Sequence, residues 1–118
     1  MLPINPTPAQ LEKELAVVAN SIATLSDLAA RYKANAAMKE TVYKRRYAEA
    51  LVKYSGAKNA TIAKSMAEID PDVRAAQDEL DQANAVYIVA MGEYSGYDSQ
   101  FIALRKIVHI REMEMRAM

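Results

Sequence analysis

The chain has 118 residues, with 52% hydrophobic side chains, no cysteine, three glycines and four prolines. Fifteen basic and fifteen acidic residues cancel to zero net charge, but nine basic residues face only two acidic ones between Arg31 and Lys64, a local +7. This composition points to one ordered domain and excludes a disulfide framework, a thiolate nucleophile and a cysteine metal site.

The N-terminal stretch Met1 to Pro6 lacks the basic and apolar regions of a signal peptide. The first helix is expected to start at Thr7, an N-cap followed by Pro8 at the first helical position. Gln10 sits where a capping box places Glu or Gln. Apolar or small residues then recur in steps of three and four: Leu11, Leu15, Val18, Ile22, Leu25, Ala29, Tyr32 and Ala36. The seam passes Lys39 and resumes at Tyr43, Tyr47, Ala50 and Tyr54, with an extra step of four between the first two tyrosines. A helix over about 8–54 would be ~70 Å long at ~1.5 Å per residue.

Residues 55–70 are expected to form a turn and a short helix. Gly56 is expected to take a left-handed conformation that ends the first helix. Asp70 and Pro71 restart the chain as N-cap and first helical residue. Asp72, Asp78, Glu79 and Asp81 lie near that start, where the helix dipole favours negative charge. This capping role is preferred over cation binding.

The second long helix is expected over about 71–116. Its seam runs through Val73, Ala76, Leu80, Ala83, Tyr87, Ala90, Tyr94, Tyr97, Phe101, Leu104 and Val108. Gly92 and Gly96 interrupt it and suggest a close helix approach or a kink. The expected fold is all-α: an antiparallel hairpin of two long helices joined by a short one, forming a single domain over 1–118. A further apolar set, Val86, Ile88, Val89, Met91, Ile102, Ile107 and Ile110, lies off the seam. It needs a second partner, so a homo-oligomer with coiled-coil-like packing is expected.

Catalytic chemistry has few candidates. His109 is the only histidine, and there is no Cys/His metal set, Gly-rich phosphate loop or nucleophile elbow. The chain is therefore expected not to be an enzyme and to need no cofactor or metal. The longest apolar run, Ala85–Met91, is far too short to span a bilayer, so no membrane partner is expected.

The strongest candidate site is basic. Lys44, Arg45 and Arg46 fan across ~200° of a helix. With Lys39, Lys53, Lys58 and Lys64 they form a track suited to a phosphate backbone. Tyr43, Tyr47 and Tyr54 interleave with them and offer rings for base stacking, although the same rings also lie on the core seam. The cations have an internal alternative too. Folding back at 55–70 would bring Lys44–Arg46 near Glu79–Asp81, and ion pairs there would consume part of the basic charge.

Several short motifs follow one another here: Lys44-Arg45-Arg46, Tyr54-Ser55-Gly56, Ala63-Lys64-Ser65-Met66 and Ile69-Asp70-Pro71-Asp72-Val73. Over residues 40–80 this order resembles the UvsY family of bacteriophage recombination mediators. The resemblance implies a protein of the bacterial host cytoplasm that binds single-stranded DNA and forms a ring-like homo-oligomer. It also implies that the protein helps a RecA-like recombinase displace single-strand-binding protein. Lys44 is the best positional match, with Arg45 and Arg46 beside it. The chain departs from the family between Ala48 and Lys53, where only Lys53 is basic. The alternative is a structural or assembly hairpin without DNA binding: a virion component, a chaperone, or a secreted hairpin of the Trp-x-Gly type with Tyr54 as the aromatic.

Overall fold

A computed structural model describes Leu2 and residues 5–117; Met118, the last methionine of the C-terminal run, lies outside them. The protein is an all-α helical hairpin. Its elements are α1 (Pro8–Lys53), α2 (Ala60–Glu68) and α3 (Pro71–Ala117). Both long helices match the periodicity that predicts them.

The caps show why each helix starts where it does. The Thr7 hydroxyl accepts from the Gln10 N–H at 3.2 Å, and the Gln10 amide oxygen accepts from the Thr7 N–H at 2.8 Å. This reciprocal box satisfies two donors that α1 would otherwise leave unpaired. Thr7→Ala should lower stability by about 1 kcal/mol. A urea midpoint equal to that of the wild type would show that the box contributes nothing. Asn59 caps α2 through its Oδ1, which accepts from the Ile62 N–H at 2.9 Å. This cap places the start of α2 at Ala60, within the 55–70 stretch where a turn and a short helix are expected.

Gly56 does not end α1 as expected. No glycine among the described residues has a positive φ. The chain instead leaves the helix through tight turns, with Ser55 N–H donating to Val52 at 3.2 Å and Ala57 N–H to Tyr54 at 3.0 Å. The first of these i→i−3 bonds satisfies the Val52 carbonyl in the last turn of α1 without a left-handed residue. Within the protomer, Gly92 and Gly96 mark neither a break nor a close approach. Both lie inside the unbroken α3, and a Cβ placed on either would meet no atom within 4 Å.

The chain forms two compact units. One comprises Met1–Ala29 and Ala90–Met118. Its core is Leu11, Val18 and Leu104, with Leu15, Ile22, Phe101 and Val108 packed against it. The second unit, Ala30–Val89, is centred on Ala50, Ala67 and Val73, with Tyr43, Tyr47, Leu51 and Tyr54 around them. Here α2 contributes Ala67, which is completely buried.

Seven of the eleven buried hydrophobic residues are alanines. Alanine lets helices approach closely but removes little apolar surface from water. Sixteen large hydrophobic side chains are exposed among the described residues, against four buried ones. The inner seam therefore uses only part of the apolar material in the sequence.

Candidate nucleic-acid interface

The basic stretch of α1 lies in the second unit together with the acidic start of α3. That unit holds ten basic and eight acidic residues, so the local +7 of the α1 stretch becomes +2. What matters next is which charges meet.

An ion pair links the α1 stretch to the body of α3: Lys39 Nζ lies 3.3 Å from Glu79 Oε2. Among the described residues, no ion pair joins Lys44–Arg46 to Glu79–Asp81. Lys39 sits on the inner seam, half-buried, and can reach across. Lys44 and Arg46 lie about 80° to either side of the line midway between Tyr43 and Tyr47, with Arg45 diametrically opposite that line; Arg46, one heptad after Lys39, is on nearly the same side of the helix as Lys39. Lys44 instead pairs with Glu40 at 3.3 Å, and Arg46 with Glu49 at 3.1 Å, both along the same helix. All four of these side chains are exposed. Such pairs hold their partners weakly and leave the cations open to a stronger anion. Arg45, Lys58 and Lys64 make no ion pair among the described residues.

Lys53 has a different setting. Its Nζ lies 3.1 Å from Asp70 Oδ2 and 5.2 Å from the centre of the Tyr54 ring. The Tyr54 hydroxyl donates to the same carboxylate oxygen at 2.7 Å. Asp70 Oδ1 accepts from the Asp72 N–H at 3.0 Å, which makes Asp70 the N-cap of α3. Asp70 is only 3% exposed. The Tyr54 hydroxyl, then Lys53, hold its carboxyl down from 3.8 to about 2, against the opposing effect of burial. The same carboxylate raises the Lys53 pKa above its usual 10.5. The sequence marks Asp70 as a cap, but no local pattern reveals that it also ties the end of α1 to the start of α3.

The three candidate stacking rings are half-buried and belong to the core of the second unit. Tyr43 and Tyr47 have centroids 6.3 Å apart and planes tilted by 30°. Stacking a base on Tyr54 in place of its present neighbours would disturb the Asp70 contact. The off-seam residues Val86, Ile88, Val89, Met91, Ile102, Ile107 and Ile110 are all exposed. Among the described residues, no group of three or more His, Asp or Glu could hold a metal ion. No helix of the described residues is long and apolar enough to cross a membrane.

Fold and site together define a helical hairpin with exposed cations on α1, on α2 and on the turn between them. Comparison with protein-family models gives no match, and searches of curated proteins and of solved structures give none either.

Proposed function

We propose that the protein is a non-enzymatic, single-stranded-DNA-binding recombination mediator that assists a RecA-like recombinase. One observation carries this reading. Lys44, Arg45, Arg46, Lys58 and Lys64 are exposed, and none is consumed by an ion pair to α3. Exposed, loosely held cations are what a phosphate backbone pairs with, and that pairing demands no base-specific geometry. The motif order over residues 40–80, which resembles UvsY proteins, supplies the biological class. Tyr43, Tyr47 and Tyr54 support the basic helix from the core, and the contact with DNA runs through phosphate. A homo-oligomer, ring-like as in that family, would multiply a modest patch by avidity. Single-strand-binding protein and the recombinase are the protein partners of this reading, and the host cytoplasm is its setting.

The test is fluorescence anisotropy of a labelled single-stranded oligonucleotide at low and moderate salt. Binding that falls steeply with salt supports the phosphate track. No binding at low salt by folded protein would overturn it and favour the structural or assembly hairpin. The exposed apolar residues of α3 are the observation that speaks for that second reading.

A further inference from the structure

One exposed stripe of α3 has an internal symmetry. α3 is unbroken from Pro71 to Ala117, and residues three or four apart on a helix are surface neighbours. Steps of three and four lead from Asp78 and Asp81 through Ala85, Ile88 and Gly92. The same steps continue through Ser95, Ser99 and Ile102 to Lys106 and His109. Every one of these residues is exposed.

Reversing the stripe about its midpoint sets its acidic end against its basic end and leaves small or apolar residues between them. Asp81 meets Lys106, Asp78 meets His109, and Ala85 meets Ile102. Ile88 meets Ser99, and Gly92 meets Ser95. Asp78, Asp81 and Lys106 make no ion pair among the described residues. Ile88 and Ile102 are 67% and 49% exposed. Ile102, Lys106 and His109 also border an open hollow on the helix surface.

From this pattern we infer that α3 pairs with α3 of a second copy, antiparallel, through this stripe. Such a contact is isologous: the same surface serves both subunits, and each charge pair occurs twice. A parallel pairing would set Asp81 against Asp81 and Lys106 against Lys106, so the charges select the antiparallel one. The middle of the stripe is small, which lets the two helices come close. Gly92 has no other evident role, since the protomer leaves open space where its Cβ would be. The contact closes on itself as a pair, so any larger ring would need a different second interface. It does not depend on DNA binding.

Sedimentation equilibrium at low salt and micromolar concentration provides the test. The wild type should self-associate. Lys106→Glu and Asp81→Lys should each weaken association by about tenfold or more. The double variant Asp81→Lys/Lys106→Glu should restore it to near the wild-type value, because the swapped charges again face opposite partners. Gly92→Leu should block the close approach while circular dichroism shows full helicity. A monomeric wild type would overturn the inference. So would single reversals that associate like the wild type, or a double variant no better than the singles.

Discussion

Replacing Asp70 with alanine should lower the melting temperature by roughly 5–10 °C, the largest stability loss expected from a single polar residue in this chain. The change removes three things together: the N-cap of α3, the acceptor for Tyr54 and the partner of Lys53. It also leaves the Tyr54 hydroxyl without its acceptor near a core cluster. Asp70→Asn keeps a capping oxygen and loses only the charge, so its effect should be smaller. Tyr54→Phe removes one donor to the carboxylate. In a double-mutant cycle with Asp70→Ala it should be strongly non-additive, because both changes break the same bond.

Titration separates the charge from the cap. The folded pKa of Asp70 is depressed, from 3.8 to about 2. Its ionisation therefore stabilises the fold above about pH 4, and that contribution is lost as pH falls toward 2. The melting temperatures of the wild type and Asp70→Asn should accordingly differ at pH 6 and converge near pH 2. A constant difference across that range would show that the charge plays no part. Lys53 works in the opposite sense. Its pKa is raised, so its contribution is present below 10.5 and is lost as pH climbs through the folded value.

The second large effect concerns binding. Lys44→Ala/Arg45→Ala/Arg46→Ala should weaken single-stranded DNA binding by about 100-fold at low salt, taking each phosphate contact as ~1 kcal/mol. Three lost contacts should also flatten the log–log salt slope by about 2. Helicity should be unchanged, because the three side chains are exposed and alanine is a good helix former. Lys39→Ala is the internal control. Lys39 is engaged with Glu79 and half-buried, so its loss should affect DNA affinity far less. A loss from Lys39→Ala as large as one third of the triple variant's, on a logarithmic scale, would mean that net charge, and not the outer face of α1, governs binding.

Much of this fold is local information. Thr7 with Gln10, and Asp70 with Pro71, announce helix starts because a cap needs only residues within one turn. The three-and-four spacing from Leu11 to Tyr54 and from Val73 to Val108 marks the inner faces, because helix geometry alone brings such residues into line. Of those seam positions, only Tyr97 is more than a third exposed. The cationic stretch of the candidate interface was equally legible, since charge clustering needs no tertiary knowledge.

Tertiary structure decided everything that depends on which residues face one another across the hairpin. It set Lys39 against Glu79, while Lys44 and Arg46 pair along their own helix with Glu40 and Glu49. It joined Tyr54, Lys53 and Asp70, which are sixteen and seventeen positions apart across the turn. It packed the three half-buried tyrosines against the core of one unit. It also ended α1 without a left-handed Gly56, because an i→i−3 bond satisfies the Val52 carbonyl in the last turn. Periodicity determines the face a residue occupies on its own helix, and only the packing of helix against helix determines what that face meets.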